Sequence, residues 1–284
     1  MNGVLAIYKE KGYTSRDVVN IIGRELGTKK IGHTGTLDPM ATGVLVLCVG
    51  NGLKLVEMLT DHDKEYIAKI RLGIETDTLD ITGNIIKIDD KLREYTKNEV
   101  EDVLKNFVGC IKQEVPKYAA IKVNGKKLYE YARNGEDVEL PVRDIEIYDL
   151  KLASDINNNE FYIKCHVSKG TYIRSLVRDI GYQLGTCATM VELERTRLGN
   201  FGLEDTYTID DIRSNVYSIS DIVDVIDLPK VVVDSNLEKR VRNGQVLDKF
   251  FDGNMAMIIN DSNELLAIYK LVDSNKVKPY RMFT

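Results

Sequence analysis

The stretch GHTGTLDPMATGVLVLCVG, Gly32–Gly50, combines a loop with wide backbone freedom and an apolar run that cannot stay in solvent. Gly32, Gly35 and Gly43 open conformations closed to residues with a Cβ, and the Asp38-Pro39 step sets a turn between them. Val44 to Val49 reads as a buried strand, so the loop is held against a core. Asp38 is then either an Asx-turn residue or a carboxylate on a rigid support. Local chemistry leaves both open.

Working outward, Val4 to Tyr8 reads as a first strand, and Thr14-Ser15-Arg16-Asp17 as a capping-box start for a helix that turns Val18, Val19, Ile22 and Leu26 inward and ends at Gly27. A short helix is expected around Leu53 to Leu59. From Tyr66 to Leu72 the chain alternates, with Tyr66, Ala68, Ile70 and Leu72 on one face, as in a half-buried strand. IETDTLDITG reads as polar turn material, and Asn84 to Ile88 as a strand. Thr96 with Glu99 caps a helix that carries Val100, Val103, Leu104 and Phe107. Phe161 to Val167 alternates as a strand, and Ser168 to Thr171 opens a helix through Ile180 with Arg174 in its first turn. Met190 to Arg197 again alternates, Met190, Glu192, Glu194 and Thr196 facing away from Val191, Leu193, Arg195 and Arg197.

Beyond Pro229, short β-like segments (Val231 to Val233, Met255 to Ile259, Leu265 to Leu271) are separated by RNGQ and DSNE turns, which sets an expected boundary near residue 228. Strands outnumber helices and do not alternate with them as βαβ units. The expected class is α+β, with a small β-rich domain at the C-terminal end.

The 284 residues contain no apolar run of membrane-spanning length and no signal-like start, so a soluble cytoplasmic protein is expected. Cys48, Cys110, Cys165 and Cys187 are scattered, and His33, His62 and His166 lie far apart, so neither a disulfide framework nor a metal site is expected. The net charge of −5 is misleading. Asp205 to Asp227 holds six acids and one arginine and accounts for all of it, whereas Phe161 to Arg178 has four bases and no acid, and Lys117 to Arg133 has five bases against Glu130. In 113–150 those bases interleave with Tyr118, Tyr129 and Tyr131, a mixture suited to phosphates and bases of nucleic acid and equally compatible with a solvated amphipathic helix.

Together, GHTGTLDPMATGVL, KEYIAKIRLGIETDTLD, SKGTYIRSL and KVNGKKLYEYARNGEDVELPVRDI resemble the motifs of the bacterial tRNA pseudouridine-55 synthases of the TruB family. The resemblance covers nearly the whole chain. It implies a pseudouridine-synthase fold, a mixed and largely antiparallel sheet with flanking helices over 1–228, a thumb-like insertion at about 117–149, and a PUA-like RNA-binding domain over 229–284. It implies an isomerase that detaches uracil N1 from ribose C1′, turns the flipped base and rejoins it through C5, with Asp38 as the essential carboxylate, Tyr66 stacked on the base and Arg174 paired with Asp38. By the same resemblance His33, Lys9, Leu193, Lys169, Tyr172, Lys122 and Lys126 face RNA or substrate. No cofactor or metal is implied; the partner is the T-loop of tRNA, and a monomer without obligatory protein partner is expected. The chain departs from the family where YKEKGYTS, Tyr8–Ser15, stands for DKPxGxTS, and where Val115 and Ala119 replace a common proline and serine. Two rival readings are an RNA-folding helper without chemistry and a guide-RNA-dependent synthase.

Overall fold

A computed structural model describes residues 1–283. Strand β1 (Gly3–Lys9) leads into helix α1 (Ser15–Glu25), whose start is the expected capping box: Thr14 accepts the Asp17 N–H and Asp17 accepts the Thr14 N–H. Strands β2 (Ile31–His33) and β3 (Thr42–Val49) follow, then a 3-10 turn, helix α2 (Val56–Thr60) and strand β4 (Lys64–Leu72), in which every second residue is buried. A two-stranded ribbon comes next, β5 (Ile74–Thr76) with β6 (Ile85–Ile88). Helix α3 (Lys97–Lys105) is again boxed, by Thr96 and Glu99. Strand β7 (Gly109–Glu114) then precedes a small unit made of β8 (Lys122–Val123), β9 (Lys126–Lys127) and helix α4 (Leu128–Asn134).

Strands β10 (Val142–Leu152) and β11 (Glu160–Val167), helix α5 (Ile173–Gln183), strand β12 (Ala188–Leu198) and the short β13 (Phe201–Gly202) complete the main sheet. Its path is β1-β3-β12-β4-β11-β10-β7, with β2 on β3 and β13 on β12. All its pairings are antiparallel except β12 with β3. Helices α1, α3 and α5 pack on one face over Leu5, Leu45, Ala68, Ile70 and Ile163. The acidic segment folds into two short helices, α6 (Ile209–Arg213) and α7 (Ile222–Val225), that bury Ile209, Ile212, Ile222 and Val223.

The remaining chain forms a second sheet in the order β14 (Lys230–Val232), β16 (Met255–Ile259), β17 (Leu265–Asp273), β18 (Lys276–Met282), β15 (Leu247–Asp248), with helix α8 (Ser235–Arg242) beside it. Met257, Ile259 and Ile268 of this sheet, with Phe283 just beyond its last strand, share a core with Val4, Val44 and Val46 and with Leu59 of α2 and Val223 of α7, so the second sheet packs on the main-sheet face opposite α1, α3 and α5. Among the described residues no helix is long and apolar enough to cross a membrane.

The structure departs from the sequence reading in three places. Strict alternation over Met190 to Arg197 fails, because register jumps at Met190/Glu192 and Arg195/Arg197 insert extra residues; Met190, Leu193 and Arg195 therefore pair with Ile70, Ala68 and Tyr66 and share their face. IETDTLDITG is not plain turn material, since Ile74–Thr76 is a strand and Glu75, Thr76 and Asp80 are buried. The thumb-like excursion leaves the sheet over 115–141, because Val142–Leu152 pairs with both β7 and β11, so an end at 149 falls inside a sheet strand.

Gly43 marks the tightest crossing. It pairs with Lys9 on one side and Arg195 on the other, its φ is +100°, and a Cβ there would lie 2.2 Å from the Arg195 carbonyl oxygen. Backbone cannot yield as a side chain tip can, so Gly43→Ala should lower stability by about 3 kcal/mol in urea unfolding. An unchanged midpoint would contradict this close approach.

Candidate active site

The site grows from a split in the sheet. Along one edge of β3, the β2 strand pairs with Leu47 to Val49 and β12 pairs only with Thr42 and Gly43. The carbonyls left between them need other donors. The Thr34 N–H reaches the Val46 carbonyl (3.1 Å), and the Arg195 side chain supplies what a strand would, Nε donating to the Val44 carbonyl at 2.7 Å. Arg195 Nη2 also donates to the Gly35 carbonyl (3.2 Å), and the residue is only 1 % exposed. The glycine loop of 34–41 fills this split.

The loop is wired from several sides. Ser15 Oγ accepts the Leu37 N–H (2.9 Å), the Gly12 N–H reaches the Pro39 carbonyl (2.7 Å), and the Ala41 N–H reaches the Asp38 carbonyl (3.0 Å). Lys9, expected to face RNA, is instead wholly buried: its ammonium donates to the carbonyls of Tyr13 (2.8 Å), Glu10 (3.0 Å) and Pro39 (3.4 Å). The lysine thus braces the loop from beneath. Its charge is satisfied by carbonyl dipoles rather than by phosphate, and burial pulls its pKa down to about 8, against the pull of Asp38.

Asp38 makes no Asx turn; among the described residues its carboxylate has one side-chain partner, Arg174. Arg174 Nε lies 3.0 Å from Asp38 Oδ2, and Nη2 lies 3.4 Å from Oδ1. The rest of the guanidinium is held by the Thr78 carbonyl (3.0 Å from Nη1), the Tyr118 carbonyl (3.0 Å from Nη2) and, at 3.9 Å, the Asp80 carboxylate. Arg174 is nearly inaccessible (7 % of its side chain), whereas 35 % of the Asp38 side chain is open to the cleft. A carboxylate pinned from behind and open in front is placed to meet a ligand.

That cleft has a volume of about 860 Å³. Tyr66 and Leu193 line it from neighbouring strands, with Tyr172, Tyr118 and Arg195 around them. Burial raises the Tyr66 pKa, with Arg195 pulling the other way, so the ring carries a neutral phenol at pH 7. Lys169 stands at the rim, paired with Asp61 at 2.9 Å. Lys64, also lining the cleft, is tied to the Thr60 and His62 carbonyls and lowered by burial to about 8.

Other expected contacts lie apart from this centre. His33 sits on β2 opposite Leu47 rather than in the loop, with a buried Nδ1 that has no hydrogen-bond partner and a pKa lowered by burial. Lys122 is exposed on the β8–β9 hairpin, and Lys126 is engaged by Glu136 (2.6 Å) over the Tyr131 ring. Sequence reading missed Asp80, Thr78, Tyr118 and Arg195 as parts of the site. The first two were hidden in a stretch too polar to look buried, and Arg195 in an alternation that bulges break. Among the described residues no group of His, Cys, Asp and Glu could hold a metal ion.

The chain matches known proteins along its length. The model of the TruB family pseudouridylate synthase N-terminal domain matches residues 24–173, and that of the tRNA pseudouridylate synthase B C-terminal domain matches 174–235. A tRNA pseudouridine synthase B of Oceanobacillus iheyensis is 43% identical over 297 residues, covering 100% of this chain and 98% of that protein. One of Staphylococcus haemolyticus is 40% identical, covering 99% of each. Among solved structures, a chain of a Cbf5-Nop10-Gar1 complex superposes with a TM-score of 0.74 at 25% identity, over 99% of this chain and 85% of that one. The chain belongs to the TruB family of pseudouridylate synthases.

The depressed pKa of Lys9 has a thermodynamic signature. Between its folded value of about 8 and the ordinary 10.5, the unfolded chain binds the extra proton, so this group makes stability rise with pH across that window. The stability of wild type relative to Lys9→Met, followed by urea unfolding from pH 8 to 9.5, should therefore increase with pH. A flat difference would mean that the ammonium is not desolvated.

Proposed function

We propose that this chain isomerises uridine to pseudouridine at position 55 in the T-loop of tRNA, with Asp38 as the reacting carboxylate. The observation that carries the reading is a cleft-facing carboxylate fixed by a buried arginine beside a buried tyrosine, in a member of this family. Relatives named tRNA pseudouridine synthase B supply the substrate class.

Uracil C5 and ribose C1′ are hidden in folded RNA, so the nucleotide must be extruded into the cleft, which has room for it. Asp38 then attacks or stabilises C1′ as the bond to N1 breaks; the uracil turns, C5 bonds to C1′, the C5 proton leaves and N1 regains one. No electrons are exchanged and no cofactor enters the balance. Arg174 supplies the counter-charge to the Asp38 carboxylate once substrate has excluded water. Tyr66 offers its ring to the base, and as a neutral phenol it serves stacking first; proton removal by its oxygen would need the opposing charge of Arg195. Leu193 adds apolar wall. Lys169 and Tyr172 at the rim, Lys122 and Lys126 on the hairpin, and the PUA-like 229–284 region contact the RNA more distantly. The proposed setting is a monomer in the cytoplasm, with tRNA as the partner.

Purified protein, without added metal, nucleotide or guide RNA, should convert uridine 55 of an unmodified tRNA transcript. If bound transcript stays unmodified, the proposal fails, and a folding-helper role takes its place. Conversion that requires a guide RNA would favour the guide-dependent reading.

Asp38→Ala should lower the conversion rate by about 10⁴-fold or more while urea unfolding stays cooperative. Collapse of the fold in that variant would instead make Asp38 a structural turn residue.

A further inference from the structure

The strand that leads into the thumb-like excursion carries one buried polar side chain. Gln113, in β7, is 2 % exposed although its neighbours Lys112 and Glu114 point to solvent. Both ends of its amide engage a single residue of another element: Nε2 donates to the Tyr172 carbonyl (3.1 Å), and the Tyr172 N–H donates to Oε1 (2.8 Å). The two partners fix which end of the amide is which.

Tyr172 is the N-cap residue of α5, a helix start without any side-chain cap of its own. Its carbonyl already accepts the first helical bond, from the Leu176 N–H at 3.1 Å. Among the described residues its N–H, with no place in the helical ladder, is satisfied by Gln113 alone. Two residues on stands Arg174, whose second contact to Asp38 is already long at 3.4 Å.

The next contacts follow the same seam. Ser175 Oγ donates to the Glu114 carbonyl (2.8 Å), Arg178 pairs with the Glu114 carboxylate (2.9 Å), and Arg174 itself donates to the Tyr118 carbonyl (3.0 Å). The end of β7 and the root of the excursion are thereby joined to the face of α5 that aims the arginine at Asp38.

We infer that Gln113 is a positioning residue for the reaction: its amide holds the start of α5 in register, so that Arg174 meets Asp38, and it ties that geometry to the root of the thumb-like excursion. This rests on the reading of Asp38 and Arg174 as the reacting pair. Only a group that donates and accepts side by side can do this, which leucine cannot and a carboxylate can only when protonated.

The experiment measures single-turnover conversion of a tRNA transcript at saturating protein, with tRNA Kd and urea unfolding in parallel. Gln113→Leu should slow conversion between about tenfold and 100-fold, the cost of a misplacement on the order of 1 Å, with Kd changed by less than about twofold. In an Arg174→Lys background the same substitution should cost less than about threefold, because both changes act through one group. Gln113→Glu gives a readout that a merely structural role would not move: its rate relative to wild type should rise as pH falls from 8 to 6 and the buried carboxyl takes up a proton. An unchanged rate in Gln113→Leu, an equal loss in the Arg174→Lys background, or weakened tRNA binding with an intact rate would each overturn the inference. Should Gln113→Leu not fold, a Gln113→Glu rate that does not respond to pH overturns it. Wild-type turnover lost in Asp38→Ala but kept in Gln113→Leu would sink this inference alone, leaving the catalytic reading intact.

Discussion

The structure turns on one ion pair drawn from segments that are distant in sequence. Arg174 comes from the start of a helix, Asp38 from a glycine loop, and the carbonyls that hold the arginine's other donors from Thr78 and Tyr118. Burying a guanidinium is costly unless its charge is paired and its donors are filled. Here both conditions are met, so the pair also fixes the relative positions of the loop, the 76–83 segment and the root of the excursion. Removing Asp38 would leave the buried guanidinium only Asp80, 3.9 Å away, as a counter-charge, whereas removing Arg174 would leave a carboxylate open to the cleft, and that asymmetry makes the arginine the organising partner.

The second constraint is the split along β3. A strand whose edge is shared between β2 and β12 leaves carbonyls without a ladder, and the chain answers with a side chain, Arg195, in place of a backbone donor. Lys9 closes the same loop from the opposite side. Two buried cations, each satisfied by carbonyl oxygens, therefore bracket the loop that carries Asp38 without competing for its carboxylate. The loop gains rigidity from them, and its surroundings gain positive potential.

What the sequence disclosed follows from the range of the interactions. Capping boxes are local, so Thr14 with Asp17 and Thr96 with Glu99 could be read directly, as could the period-2 pattern of Tyr66 to Leu72 within the strand Lys64–Leu72. The bulges of β12 answer to its neighbours, and nothing in Met190 to Arg197 announces them. Lys9 and Asp80 look like surface residues because burial of a charge depends on partners that folding alone assembles. Local chemistry leaves Asp38 undecided and motif resemblance selects it; the Arg174 guanidinium against its carboxylate comes from a segment too distant in sequence to be read locally.

Asp38, backed by Arg174, is proposed to face the sugar of an extruded uridine. This placement is tested most directly by solving the protein bound to a T-loop RNA whose target nucleotide cannot complete the reaction. The nucleotide should lie in the cleft, its base on Tyr66 and its C1′ about 3–3.5 Å from the Asp38 carboxylate. A target nucleotide still stacked within the RNA, or one whose C1′ lies beyond reach of Asp38, would contradict it.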